Sequence, residues 1–517
     1  MLVDARALPK NTVIETDVCI VGAGAAGITL AKEFIGKPFR VCLLESGGFE
    51  FEEKTQDLYS GENAGFPIPL NVMRLRYFGG STSHWGNYCS PLDEIDFEAR
   101  DWVPHSGWPF KKSQLDSYYA QAQNICQLGP FAYNCEFWQT KASPLLPFAS
   151  NRVVTSIFQV REPATRFGTV YRKEIVQARN ITTFLYANLL NVETDNTART
   201  VTRLRVGCLQ GNKFIIAGKL FILAAGAIEN ARLLLLSNTI SRVGLGNQND
   251  LVGRFFMSHA LCEPALFLPS DPLIPATLYI NSKPPVDKLK VTGHLTLSHE
   301  TQRQHKLLNF NAVLFPVYMA QTGLMSLKRL VKREFDTLAK ELRNIVADID
   351  GVATAAYWKL LKGVIPVRAF SLTCAIEQSP NPASRVTLSS ERDALGKQRV
   401  RLDWQLRPVD KRSLKRSLEI VGAELGRAGL GRLKIDLKES DGSWPEVIRD
   451  AGHHIGTTRM HLDPKQGVVD ENCRVHGMSN LFLAGSSVFP TSGHANPTLT
   501  LIALALRLAD HVKRIMA

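Results

Sequence analysis

TDVCIVGAGAAG, Thr16 to Gly27, opens as an apolar run that stops at Gly22, and Gly22, Gly24 and Gly27 then stand at the spacing GxGxxG with Ala26 among them. ITLAKEFIG, Ile28 to Gly36, follows with helical periodicity, and RVCLLES, Arg40 to Ser46, is a second apolar run that closes on Glu45. Strand, glycine turn, helix and strand within about thirty residues form the crossover unit that binds dinucleotides on a parallel sheet. The glycines allow the tight turn and the close approach of a pyrophosphate, and the helix start favours its charge. Gly22, Gly24, Ala26 and Gly27 are therefore expected to touch the cofactor, with Glu45 accepting ribose hydroxyls. A carboxylate at that place would repel the 2′-phosphate of NADP, but it separates neither NAD nor FAD.

A separate nucleotide domain would continue with further units of this kind, and this chain does not. Its 517 residues exceed what one core usually serves, so two domains or one composite unit are expected. A hydrophobic content of 45% with 21% charged residues excludes disordered and collagen-like classes. The formal charge of +13 is dispersed without a run of five basic residues, which leaves nucleic-acid binding without a motif. Nine scattered cysteines with no CxxC pair argue against a disulfide framework and against a metal or iron-sulfur site. The amino terminus lacks the pattern of a signal segment, and no apolar run of membrane-spanning length occurs, so a soluble, cytoplasmic protein is expected.

LKRLVKREFDTLAKELRNI, 327 to 345, reads as one amphipathic helix, either the solvated face of an insertion or a weak docking element for a membrane or a partner. WVPHSGWPFKKSQLDSYYAQAQNI predicts a helix from about Lys112 with Ser113 as its cap. Between Arg203 and Ile216 a hairpin is expected to turn at Gly211 and Asn212, before a buried strand and a helix from Ala227 return to the cofactor sheet. KLLNFNAVLF, RAFSLTCAIEQ, RVTLSS and RVRLDW predict an antiparallel sheet with helices on one side. The expected fold is thus an α/β Rossmann-like cofactor domain, 12–90, 181–258 and 451–517, interleaved with an α+β substrate domain, 259–450, and a cap region, 91–180.

Three further motifs carry the chemistry: YFGGSTSHWGNY from Tyr77, HHIGTTRM from His453, and LFLAGSSVFPTSGHANPTLT from Leu481 to Thr500. With LFILAAGAIENARLLL they resemble the glucose-methanol-choline (GMC) oxidoreductases, a family of FAD enzymes, nearest the pyranose oxidases and the bacterial sugar and polyol dehydrogenases. The likeness is good at both ends, fair over 181–260 and absent from about 262 to 370. It implies FAD as cofactor and places the catalytic histidine of H-x-x-G-T at His453, with Asn496 as its partner. His454 is a second imidazole beside it, and the spacing favours His453. The resemblance also brings Gly80 and Ser81 to the flavin, with Gly485, Ser486, Asn496 and Thr498 at the carboxy-terminal contact. His84 aligns with a histidine that bonds FAD covalently in some relatives and not in others, and noncovalent binding is the reading taken. His259 and His494 read as structural or wall residues, while Glu377 and Gln378 read equally as pocket residues or as a surface strand end.

Alcohol oxidation needs a base for the hydroxyl proton while hydride leaves the carbon, and imidazole suits that task. The resemblance therefore implies oxidation of a CH–OH group of a sugar, cyclitol or polyol, with dioxygen, a quinone or a redox protein as acceptor. The rival readings are a nicotinamide-dependent dehydrogenase, a redox-silent lyase or photoenzyme on the same scaffold, and a binding subunit that holds FAD structurally.

Overall fold

The structure, a computed structural model, describes residues 1–141, 143–280, 287–318, 321–362, 365–437, 444 and 448–517. The first motif folds as strand Val18–Val21, helix Ala25–Phe34 and strand Val41–Leu44. These strands lie in a six-stranded parallel sheet ordered Leu2–Asp4, Ile181–Leu185, Val41–Leu44, Val18–Val21, Leu220–Leu223 and Leu481–Leu483. Val18 pairs in register with Val41 on one side and Leu220 on the other, and Phe221 pairs with Leu481. The four central and carboxy-terminal strands of this sheet are continuous buried apolar runs because it is covered on both faces. The carboxy-terminal helix, Pro497–Met516, packs along Ala25–Phe34, so the last elements of the chain close over the first. The hairpin Val201–Gly207 and Lys213–Ala217 turns through Gly211, whose φ is +94°, and the chain re-enters the sheet at Leu220 before helix Ala227–Leu236.

The second layer is an eight-stranded, antiparallel sheet: Gly431–Ile435, Ala260–Pro269, Val367–Ile376, Phe310–Tyr318, Leu289–Leu297, Val153–Arg161 and Tyr88–Cys89 in order, with Arg449–Asp450 pairing beside Ala260. Helix Pro408–Arg427 packs against strand Gly431–Ile435. Two of the four expected strands belong elsewhere. Arg385–Arg392 and Gln398–Asp403 pair with each other and with Gly61–Asn63, because the turn through Pro380 to Ser384 carries the chain off the main sheet after Ile376.

The helix expected over 327–345 is two helices, Gln321–Lys332 and Leu338–Ala347, followed by a third, Ile349–Lys362. Arg333 enters the left-handed region with φ +58°, and Thr337, extended at φ −142°, starts the next helix. Asp336 and Thr337 favour such non-helical backbone, so amphipathic periodicity continues across a reversal of direction. Ser113 caps nothing: a short 3-10 turn, Lys112–Leu115, precedes helix Asp116–Ile125.

Candidate functional site

The glycine turn stands at the carboxyl end of the buried strand, where a parallel sheet opens to ligand. Gly22 holds φ +104°, and a Cβ there would lie 2.7 Å from the Ala224 carbonyl oxygen. At Gly27 a Cβ would lie 1.9 Å from the Gly22 oxygen, so helix and turn pack at a distance only glycine permits. The helix begins after Gly24 with no side chain capping it, leaving its first N–H groups for an anion. Glu45 is buried, with Oε2 accepting from Ala23 N at 2.9 Å and Oε1 from Gly47 N at 3.0 Å. The carboxylate therefore braces the loop while keeping lone pairs for a sugar.

The remaining walls come from distant segments. Gly79 N donates to Ala23 O at 2.8 Å, which lays Gly80 and Ser81 across the turn. His84 lies at the exposed lip of that segment, where burial and then the Arg166 charge lower its pKa, so its ring is neutral. Ala224 to Ala227, Ala484 to Ser486, and Asn496 to Thr498 complete a cavity of about 510 Å³ running from Glu45 to His453. A Cβ at Gly24 or Gly485 would meet nothing within 4 Å, because both face this space. The donor set fits an elongated dinucleotide such as FAD: an uncapped helix start, a carboxylate for ribose, small residues along the path, and a second helix start at Pro497.

Sequence reasoning missed Arg74, Arg76 and Glu229 in the same wall. Glu229 lies 3.2 Å from Arg74 and 3.6 Å from Arg76, and these cations with Arg232 hold its carboxyl down to about 2 against burial. Nε and Nη1 of Arg76 are buried without a hydrogen-bond partner among the described residues. Its place next to the YFGG turn was the available signal, since a cation beside a glycine turn suits an anionic ligand.

At the far end Met257 and Ile455 exchange backbone hydrogen bonds, and Ala451 N donates to His259 O at 3.2 Å. This pairing brings His259 beside His453, with Nδ1 to Nδ1 at 2.9 Å. His259 Nε2 is 3.0 Å from the Gly493 carbonyl and 3.4 Å from that of Ser492, so it carries the proton and donates. Burial lowers the His259 pKa to about 4, which keeps the ring neutral and leaves Nδ1 as an acceptor. His453 must then donate from Nδ1, and its lone pair resides on Nε2. Burial, and secondarily His259, lower the His453 pKa to about 3, so that lone pair is not protonated near neutrality.

His454 is engaged on the other side of the strand. Its Nε2 meets Asp450 Oδ2 at 3.1 Å, Asp450 also takes the Ser258 hydroxyl, and the His454 carbonyl accepts from Ser486 Oγ at 2.6 Å. Asn496 lines the cavity and donates from Nδ2 to Tyr88 O at 3.1 Å. His494 is fully buried behind the site, paired with Asp93 at 3.1 Å. Although burial opposes it, Asp93 raises the His494 pKa. Neither reading of Glu377 and Gln378 holds. Glu377 is buried against Arg100, with Oε2 at 2.9 Å from Nη1, and accepts from Asn309 N at 2.8 Å. Gln378 takes the Trp404 indole at 2.9 Å and Ser258 N at 3.1 Å. Both are spent on tying strands together, because a carboxylate so deep persists only with its charge paired.

Residues 380–505 match the family model described as GMC oxidoreductase. Over 97% of this chain and 98% of its own length, the fructose dehydrogenase large subunit of Gluconobacter japonicus is 27% identical. The 6'''-hydroxyparomomycin C oxidase of Streptomyces lividus is 22% identical over 96% and 92%. Among solved structures, pyridoxine 4-oxidase from Mesorbium loti superposes with a TM-score of 0.56 at 18% identity, covering 96% of this chain and 98% of that one, a likeness of fold. The matched segment contains His453, Gly485 and Asn496, the part of the chain that closes the cavity over the glycine turn. The segment 380–505 is thus similar to the GMC oxidoreductases, which are FAD-binding, and the relatives that match the whole length are oxidases and dehydrogenases.

Proposed function

We propose that this enzyme oxidises a CH–OH group of a sugar, cyclitol or polyol-like alcohol, with His453 as the base and Asn496 as the residue that orients the hydroxyl oxygen. The observation that carries the reading is the His453–His259 contact at 2.9 Å in a cavity shared with Asn496. Because the Gly493 carbonyl fixes the His259 proton on Nε2, His453 presents Nε2 as the unprotonated atom that takes the substrate hydroxyl proton. When bound in the cleft, FAD would supply the hydride acceptor. Asn496, with one amide hydrogen on Tyr88 O, has its second hydrogen and Oδ1 to hold the alcohol oxygen without itself gaining a proton. His454, tied to Asp450, positions the backbone that accepts from Ser486 and takes no proton in this scheme.

The sugar and polyol class is supported by the relatives, one named a fructose dehydrogenase large subunit and another a 6'''-hydroxyparomomycin C oxidase. His84 in its neutral form is a contact of noncovalent FAD in this reading. The test is anaerobic reduction of the purified holoenzyme by a panel of sugars, cyclitols and simple alcohols, read from the flavin spectrum. A sugar or polyol should bleach the wild type, whereas His453→Ala should retain FAD and stay oxidised. Full reduction of that variant at the wild-type rate would remove His453 from the mechanism.

A further inference from the structure

The three helices Gln321–Lys332, Leu338–Ala347 and Ile349–Lys362 are an excursion between strands Phe310–Tyr318 and Val367–Ile376, which are adjacent in the sheet. Their mutual contacts are in part polar, and many of their apolar side chains are exposed. Polar groups meet between the helices: Asn344 Nδ2 donates to Ser326 Oγ at 3.0 Å, Arg329 pairs with Glu341 at 3.4 Å, and Gly323 N donates to Asp348 Oδ2 at 2.9 Å. Apolar side chains point outward at helical spacing. Leu327 and Val331 form one stripe, and Leu338, Leu342 and Val346 a second, all exposed. Ile349 and Tyr357 continue the pattern on the third helix, where Leu360 is 86% exposed. Single exposed hydrophobic residues need no explanation, but apolar stripes on three successive helices do.

We infer that this three-helix excursion lies on an anionic phospholipid surface. Between 321 and 362 the chain has eight Lys and Arg against five Asp and Glu, and two of those acids, Glu341 and Asp348, are engaged between the helices. Lys328, Arg333, Lys340 and Arg343 are exposed around the apolar stripes, the arrangement in which long cationic side chains reach headgroups while neighbouring Leu and Val enter the acyl boundary. Self-pairing of two copies would bring these cations against each other, whereas an anionic bilayer complements them. No helix among the described residues is long and apolar enough to cross a membrane, so the excursion rests on the surface.

The experiment is sedimentation of full-length holoenzyme with vesicles of phosphatidylcholine alone, or with about one quarter phosphatidylglycerol. Wild type should pellet with the mixed vesicles, less with the neutral ones, and less again at high salt. The double variant Val331→Glu, Leu342→Glu changes two exposed side chains, so the fold is kept. Its partitioning should fall by about tenfold or more, with FAD content and flavin reduction unchanged. Three results overturn the inference: wild type remaining in the supernatant with both vesicles, the double variant pelleting as wild type does, or the variant dissolving a dimer of wild type that does not bind lipid.

Discussion

Replacing His259 separates orientation of the base from the base itself. In the native site His259 accepts the Nδ1 proton of His453 at 2.9 Å and donates to Gly493 O at 3.0 Å. Phenylalanine keeps the volume and removes both functions, leaving a buried N–H on His453 without an acceptor. Such an orphaned donor costs about 1–3 kcal/mol, which favours the other tautomer or a rotated ring. At about 1.4 kcal/mol per factor of ten, the rate of anaerobic flavin reduction at saturating substrate should fall about 5- to 140-fold in His259→Phe. Apparent substrate affinity and FAD content should hold, since no substrate or cofactor contact is assigned to His259. Glutamine offers an oxygen toward His453 and an amide hydrogen toward Gly493, so His259→Gln should recover most of the rate. Stopped-flow absorbance of the flavin reads both variants. Wild-type reduction by a fully loaded His259→Phe enzyme would refute the reasoning, as would His259→Gln reacting as slowly as His259→Phe at equal stability.

Three more outcomes follow from the same geometry. With the His453 pKa lowered to about 3, protonation at low pH removes the base only far below the ordinary histidine range. At pH 5 such a group is about 99% unprotonated, against about 3% for an ordinary imidazole, so flavin reduction should stay level from pH 8 to 5; an inflection near 6.5 would contradict it. Gly24→Val has room for its side chain, which projects into the cleft, so the protein should fold with unchanged circular dichroism yet purify with little FAD; full flavin content would show that the cofactor does not cross that point. Arg100→Leu leaves Glu377 charged and fully buried, which should cost about 3–5 kcal/mol in denaturant unfolding, much of it recovered in Arg100→Leu, Glu377→Leu. A loss below about 1 kcal/mol in the single variant would mean that the ion pair contributes little.

The amino-acid sequence alone determined the features that local chemistry dictates. GxGxxG after an apolar run reads as a strand and helix because turn, period and spacing are encoded within thirty residues, and the structure has both elements there. The hairpin at Gly211 and the helix from Ala227 were legible for the same reason. His453, in H-x-x-G-T, and Asn496, before Pro497, were reached through the resemblance of these motifs to the GMC oxidoreductases. Only the tertiary structure decided what those residues face. His259 carries no motif of its own, and its relation to His453, 194 residues away, exists because distant segments of the chain bridge at Met257 and Ile455. Glu377 reads equally as a pocket acid or as a surface strand end until Arg100, 277 residues away, is seen to pair with it. The amphipathic run at 327–345 has one periodicity in sequence, yet it folds back at Arg333, and which of its faces turns outward depends on what the neighbouring helix offers. Periodicity and turn chemistry act between near neighbours in the chain, whereas charge pairing, tautomers and exposure depend on distant segments brought together by folding.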